Sequence, residues 1–281
     1  TSTGAVSVSA STGCGSSQPI KAFSEIIGAS GSICAQVQMA KAAILYPPQG
    51  LHTLILGESG VGKSLFAKQM WQFVKEKHAF SSSENTPFVT LNCAEYADNP
   101  QLLLSHLFGH VKGAFTDALE TKRGLVEEAD GGILFLDEIH RLSSTGQEML
   151  FMLIDSGVYR RLGDTQVRQA NIMLIGATTE DPDDALLTTF SRRIPVTIRL
   201  PSLSERPVDE RAKIIRHLFE IEAKRLGMPI VVTGEVLKQL LSSKFKANIG
   251  GLKKTIQLSC ASSYLVFCLS ESKANLRVQE S

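Results

Sequence analysis

The chain has 281 residues and a formal net charge of +1, with 43% hydrophobic and 20% charged residues. This composition is typical of a folded globular domain, and the near-zero net charge argues against a surface built mainly to bind nucleic acid. No apolar run approaches the roughly 18 residues of a membrane span, no signal-peptide pattern opens the sequence, and the five cysteines include no Cys-x-x-Cys pair, so we expect reduced thiols and a cytoplasmic location.

Short apolar runs alternate with helical patterns over the first two hundred residues. Residues 1–20 carry no charge and are rich in Ser, Thr and Gly, which is typical of a flexible linker or tail. Helices are predicted over 32–45 and Lys63–Lys77, and buried strands over 51–56, 88–91, 133–136 and 172–175. This alternation predicts an α/β fold with a parallel sheet and helices on both faces.

The pattern changes after Pro201, where only helical segments are predicted. They cover 206–226, 235–243 and 250–269, with glycine- and proline-containing breaks between them. We therefore predict an α/β domain over 21–203 and a helical lid domain over 204–281.

A glycine-rich loop joins the strand 51–56 to the helix at Lys63. Residues 57–64 satisfy the pattern G-x-x-x-x-G-K-[ST] between a strand and a helix, which is the context of a P-loop. Its backbone N–H groups and the helix N-terminus would surround phosphate oxygens, the lysine would reach the β- and γ-phosphates, and the serine would ligate Mg²⁺. The predicted ATP-binding residues are Gly57, Glu58, Ser59, Gly60, Val61, Gly62, Lys63, Ser64 and Leu65.

Two acidic residues, Asp137 and Glu138, follow the apolar strand 133–136. Acids at the end of a strand are common, but this pair follows a complete P-loop with another strand between them. Asp137 is therefore predicted to hold Mg²⁺, directly or through water, and Glu138 to orient and polarise the attacking water. Together the two motifs predict a P-loop NTPase that hydrolyses ATP.

One further segment resembles a specific family. Residues Gly113-Ala114-Phe115-Thr116-Asp117-Ala118 are similar to the GAFTGA signature of the AAA+ domains of sigma-54-dependent transcription activators. The preceding Leu107–His110, the strand ending at Asn92, and residues 129–139 also resemble that family, and the resemblance extends from about Ile27 to Cys260. Residues 43–54 and 146–151 resemble the levanase-operon type of regulator within it.

The resemblance implies roles that the residues alone do not. The 113–118 loop would grip sigma-54 when nucleotide is bound, with Phe115 and Thr116 as contact residues; from the residues alone, Phe115 is either a loop tip or a packing residue. Asn92 would switch the catalytic glutamate between active and idle positions. Thr178 would sense the γ-phosphate, and residues 158–168 would form a second inserted hairpin.

An arginine supplied from a neighbouring subunit is also implied, and it corresponds to Arg192 or the adjacent Arg193, which the sequence does not separate. Such an arginine stabilises charge in the transition state. It also implies a homo-oligomeric ring, with a hexamer as the expected size.

Three positions depart from the family pattern. Asp117 replaces the second glycine of the signature, which adds a charge where a flexible residue is usual. Gly250 occupies the place of the lid's sensor arginine. Lys253 or Lys254 could substitute for that arginine, but a lysine lacks the planar guanidinium group of arginine. Leu186 stands where the family usually has a second arginine close to the one supplied from a neighbouring subunit.

The sequence thus predicts an ATP-hydrolysing motor domain that remodels the closed complex of sigma-54 and RNA polymerase to open a promoter. DNA contact would come only through domains outside this chain, because no helix-turn-helix pattern is evident in it. Two alternatives remain: an ATP-binding switch or scaffold of the same fold that does not engage sigma-54, and a different AAA+ remodelling ATPase.

Overall fold

The computed structural model describes residues 21–80, 86–116, 118–269 and 276–278. The predicted linker over residues 1–20 therefore lies outside the described residues. In chain order, the strands are β1 (Thr53–Leu56), β2 (Phe88–Asn92), β3 (Gly109–His110), β4 (Lys122–Arg123), β5 (Ile133–Asp137), β6 (Val158–Tyr159), β7 (Arg168–Gln169), β8 (Met173–Thr178), β9 (Val196–Arg199), β10 (Ile230–Val232) and β11 (Leu276–Val278).

The helices separate these strands. They are α1 (Cys34–Leu45), α2 (Lys63–Lys77), α3 (Pro100–Phe108), α4 (Leu125–Glu128), α5 (Ser144–Ser156), α6 (Pro182–Ala185), α7 (Thr188–Ser191), α8 (Val208–Leu226), α9 (Gly234–Ser242) and α10 (Asn248–Leu269). Two short 3₁₀ helices, Cys93–Tyr96 and Ile139–Arg141, follow β2 and β5. Within the described part of the chain, no helix is both long and apolar enough to cross a bilayer.

Five strands form a parallel sheet in the order β2-β5-β8-β1-β9. The expected α/β fold with a parallel sheet is therefore confirmed. The strand β9 was not predicted, because its residues alternate between buried and exposed at the edge of the sheet. The apolar runs that identified the other strands are typical of strands buried on both faces, such as β8, whose six residues are all buried.

Alternate residues of each strand enter one of two hydrophobic clusters. In β5, Ile133 and Phe135 pack with α1 and α2, whereas Leu134 and Leu136 pack with α3 and α5. This division follows from the two-residue period of a strand. Each buried side chain of this size stabilises the fold by about 1.5–3 kcal/mol, so the two clusters hold the sheet and fix where its strands end.

Two hairpins project from this framework and contact each other. The strands β3 and β4 pair in antiparallel fashion around the 113–118 loop, and β6 and β7 form the second hairpin in the predicted region. The N–H of Leu162 donates to the carbonyl of Gly109 at 2.9 Å, and the N–H of Val111 donates to that of Leu162 at 3.1 Å. The base of the loop is therefore fixed by both hairpins.

A third cluster, which includes Ile215, Leu218, Leu252 and Ile256, holds α8, α9 and α10 together. The three helices agree with the predicted lid, but β10 and β11 add a parallel pair that was not predicted. The proposed division between residues 203 and 204 stays a prediction.

Candidate active site

The predicted site residues lie at the carboxyl ends of the central strands. Asn92 and Asp137 are register partners at the ends of β2 and β5, and Leu56 pairs with Thr178 at the ends of β1 and β8. The glycine-rich loop, residues 57–64, leaves β1 at the same edge. In open α/β sheets, ligands bind outside the carboxyl ends of the strands, so the topology brings these separate segments to one place.

The glycine-rich loop curls around the start of α2. Gly60 and Gly62 have φ values of +76° and +105°, which only glycine adopts readily. Lys63 is buried, and its ammonium donates to the carbonyls of Gly57 at 2.8 Å and Glu58 at 3.4 Å. Burial lowers the pKa of Lys63, and the nearby carboxylates partly offset that effect. A Cβ at Gly62 would enter open space, so the loop leaves room for a phosphate chain beside the lysine.

Ser64 and Asp137 face each other across the loop. The Ser64 hydroxyl donates to Oδ2 of Asp137 at 3.0 Å, although the two residues are 73 positions apart. Hydroxyl and carboxylate oxygens are suitable ligands for Mg²⁺, which usually takes one or two protein ligands and completes its shell with water and phosphate oxygens. The donor set fits the predicted metal, and no cluster of three or more metal-binding side chains occurs among the described residues.

Glu138 follows Asp137 with its backbone in the left-handed region, at φ +51°. Its N–H donates to Oδ1 of Asp137 at 3.1 Å, which ties the two acids together. Its carboxylate oxygen Oε2 accepts from the Thr179 hydroxyl at 3.2 Å and lies 3.5 Å from Nδ1 of His140. The side chain is a quarter exposed, so the carboxylate can reach water while remaining held by β8 and the 3₁₀ helix after β5.

The predicted switch and sensor residues have different surroundings. Asn92 Oδ1 accepts from the N–H of Ala94 at 3.1 Å, and in the described part of the chain Asn92 makes no hydrogen bond with Glu138. Thr178 is fully buried at the end of β8, and its hydroxyl lies 2.9 Å from Nδ1 of His140. Burial, and to a smaller extent the negative charges of Asp137 and Glu138, raises the pKa of the neighbouring Cys93 thiol to about 12. That thiol therefore stays protonated.

Arg192 and Arg193, which the sequence does not separate, differ in the structure. Arg193 makes an ion pair with Asp155 at 3.0 Å and lies over the ring of Phe151. Arg192 is exposed, and no partner for its guanidinium occurs among the described residues. Leu186, where the family has a second arginine, is buried in the core.

The 113–118 loop is only partly exposed. The ring of Phe115 packs edge-on against His110, with 5.0 Å between the ring centroids, and is half-buried. Thr116 is exposed and Ala118 is buried, whereas Asp117 lies outside the described residues. The N–H of Gly113 donates to the carbonyl of Ala118 at 2.8 Å and closes the loop.

The lid contacts the glycine-rich loop directly. The Asn248 amide donates to Oε2 of Glu58 and to the carbonyl of Ser59, each at 3.0 Å. The N–H of Gly250 donates to the carbonyl of Gly60 at 3.2 Å. The glycine that replaces the expected lid arginine therefore lies against the loop, and the candidate substitutes Lys253 and Lys254 are both exposed on the next turn of α10.

An apolar cleft of about 130 Å³ lies beside the same loop. It is lined by the segment before α1, the start of α2, the end of β9 and the lid, and its side chains include Ile26, Val61, Leu65, Leu200 and Ile249. A planar, mostly apolar group attached to a phosphate chain fits such a cleft. Of these residues, the sequence indicated only Val61 and Leu65.

The comparisons with known proteins bear on the family and the fold of this chain. Residues 26–200 match the family described as "Sigma-54 interaction domain". The chain is 52% identical over 241 residues to the transcriptional regulatory protein LevR of Bacillus subtilis, which covers 85% of the chain and 26% of LevR. It is 47% identical over 247 residues to DagR of Salmonella typhimurium, which covers 88% of the chain and 26% of DagR.

Solved structures show the same fold. NtrX from Brucella abortus, crystallised with ATP, superposes with a TM-score of 0.70 at 22% identity and covers 91% of this chain and 56% of that one. A RuvB mutant from Thermotoga maritima has a TM-score of 0.60 at 17% identity and covers 92% of this chain and 69% of that one.

The chain belongs to the sigma-54 interaction domain family, as the resemblance predicted. It has the AAA+ P-loop fold, and it spans about a quarter of the length of LevR and DagR, the regulators to which it is similar.

Proposed function

We propose that this chain is the ATP-hydrolysing motor domain of a sigma-54-dependent transcription activator. The observation that carries the proposal is that Lys63, Ser64, Asp137 and Glu138 lie at one edge of the sheet. They place a buried cation, two oxygens suited to Mg²⁺ and a partly exposed carboxylate around one open loop.

The roles of these residues follow from their chemistry. The ammonium of Lys63 exchanges its carbonyl contacts for phosphate oxygens, and the apolar cleft takes the adenine. Mg²⁺ held by Ser64 and Asp137 would neutralise charge on the phosphates when ATP is bound. Glu138 orients and polarises the attacking water, and its side chain is exposed enough to reach that water. Asn92 and Thr178 lie at the same edge, where they would report the state of the γ-phosphate.

Arg192 completes this site in a neighbouring copy of the chain. Its exposed guanidinium has no partner among the described residues, whereas Arg193 is held by Asp155 and Phe151. A cation without a partner on its own subunit suits a role in trans. We infer a ring, with a hexamer as the expected size, in which hydrolysis at each interface moves the lid and the hairpins.

The 113–118 loop is the proposed contact with sigma-54 on RNA polymerase. In this structure Phe115 is folded back on His110, so engagement would require the ring to leave that contact. The membership of the family supports this partner. The motor would act in the cytoplasm, beside the polymerase, and any DNA contact would be made by domains outside this chain.

ATP binding and turnover of Lys63→Ala and Glu138→Gln test the proposal. Lys63→Ala should lose ATP affinity, and Glu138→Gln should keep it while turnover falls by about 10²-fold or more. Lys68→Ala on α2 and Glu148→Gln on α5 are matched controls, because both side chains are exposed and neither belongs to the predicted site.

Unchanged affinity in Lys63→Ala would refute the phosphate site, and normal turnover in Glu138→Gln would remove its catalytic role. An unaltered chain that binds ATP without hydrolysing it would favour the switch or scaffold.

A further inference from the structure

His140 is a buried polar residue that the proposed mechanism leaves without a role. It lies in the 3₁₀ helix directly after Glu138, and its side chain is only 4% exposed. Three polar groups surround the ring: the Thr178 hydroxyl 2.9 Å from Nδ1, Oε2 of Glu138 3.5 Å from Nδ1, and Oε1 of Glu180 3.3 Å from Nε2. A buried imidazole placed between two carboxylates and a hydroxyl is not explained by packing alone.

The hydrogen-bonding capacity of these groups fixes the orientation of the ring. The Thr178 hydroxyl accepts from the N–H of Glu180 at 3.0 Å and can donate its own proton to the carbonyl of Glu180 at 3.5 Å, so it can also accept from Nδ1 of His140. An ionised carboxylate can only accept, so Oε2 of Glu138 favours a proton on Nδ1, the nitrogen that it faces. The Thr178 hydroxyl and the Glu138 carboxylate therefore both lie where they can accept from Nδ1 of His140.

The Nδ1 edge of the His140 ring faces the proposed catalytic carboxylate of Glu138. Oε2 of Glu138 is bonded to Thr179 and lies next to Nδ1 of His140. The side chains of Thr179 and His140 thus both lie against one oxygen of Glu138. Thr179 directly follows β8, and His140 contacts the predicted sensor Thr178. A displacement of the Thr178 side chain would therefore be transmitted to Glu138 through the imidazole ring of His140.

We propose that His140 is a positioning residue that sets the Glu138 carboxylate relative to the end of β8 and links it to Thr178. The inference rests on the proposed ATP hydrolysis. Among the described residues, the polar contacts of His140 are with Thr178, Glu138 and Glu180 and not with the glycine-rich loop or Asp137, so its removal should change turnover and not nucleotide binding. A displacement of the order of 1 Å at a reacting group can cost about 10²-fold in rate.

Three substitutions separate positioning from packing. His140→Ala removes both nitrogens, and we expect kcat for ATP to fall roughly 10- to 100-fold with an unchanged Kd for a fluorescent ATP analogue. His140→Asn places an amide where Nδ1 lies and should recover part of kcat. His140→Gln places its amide where Nε2 lies, retains the contact with Glu180, and should recover little. Arg141→Ala, an exposed neighbour in the same 3₁₀ helix, is the matched control and should retain wild-type kcat.

The outcomes are distinct. Wild-type kcat in His140→Ala, or equal losses in the Asn and Gln variants accompanied by weaker binding, would overturn the positioning role in favour of packing. If His140→Ala does not fold, the Asn and Gln variants, which are closer to histidine in volume, carry the comparison alone. If the unaltered chain binds ATP but shows no turnover, the proposed function fails, and this inference fails with it.

Discussion

Asn248 gives the sharpest test of how the lid is fixed to the glycine-rich loop. Its side chain is 3% exposed and makes three hydrogen bonds: two to Glu58 and Ser59, and one accepted from the N–H of Leu203 at 2.8 Å. At about 1 kcal/mol for each bond, its removal costs about 3 kcal/mol. The backbone has a φ of +48°, a conformation that costs a side chain such as alanine about 1–2 kcal/mol more.

Two variants separate these contributions. Asn248→Gly removes the bonds but tolerates the backbone, so it should lower the free energy of unfolding by about 3 kcal/mol. Asn248→Ala should be about 1–2 kcal/mol less stable than the glycine variant. Urea unfolding followed by circular dichroism measures both. Hydrogen exchange at the Leu203 amide, which loses its acceptor in both variants, locates the effect.

The reasoning would be refuted if Asn248→Gly unfolded within about 0.5 kcal/mol of the unaltered chain, the range of ordinary surface substitutions. It would also be refuted if the alanine variant were as stable as the glycine variant.

Two further predictions concern arginines. Arg192→Ala should reduce ATP turnover on the order of 10³-fold and should also lower the turnover of wild-type subunits in mixed assemblies, whereas Arg193→Ala should mainly loosen the contact with Asp155. Equal losses of steady-state ATP turnover in the two variants would contradict this assignment. The hydrogen bond from Arg161 lowers the pKa of Glu127, so this pair contributes stability above the ordinary carboxyl pKa and loses it as pH falls through the lowered value. Arg161→Met should therefore flatten the loss of stability in acid titrations below the ordinary carboxyl pKa, and an unchanged acid profile would argue against the pair.

The sequence could predict the parts of the site that depend on local patterns. The helix α2 begins at Lys63 as expected, because the glycine-rich loop ends there. The acids at the end of β5 lie beside the loop because parallel strands end at one edge. These features need only a motif and the rule that an α/β sheet places its strand ends together.

The remaining features depend on contacts that no local pattern encodes. Asn248 reaches Glu58 across 190 residues, and His140 meets Thr178 only after β5 and β8 have paired. The separation of Arg192 from Arg193 depends on Asp155 in another helix. Each of these needs the tertiary fold before the side chains can be assigned a partner.

The measurement that tests the central claim most directly is ATP-dependent formation of open complexes by sigma-54 RNA polymerase on a supercoiled promoter. The chain would be added at high concentration, with Glu138→Gln and Asp117→Gly beside it. We expect open complexes with the unaltered chain and ATP, and none with Glu138→Gln. Opening by Asp117→Gly alone would mean that the motor is intact and Asp117 weakens its grip on sigma-54. If neither the unaltered chain nor Asp117→Gly opens the promoter while both hydrolyse ATP, the assignment to sigma-54 is contradicted.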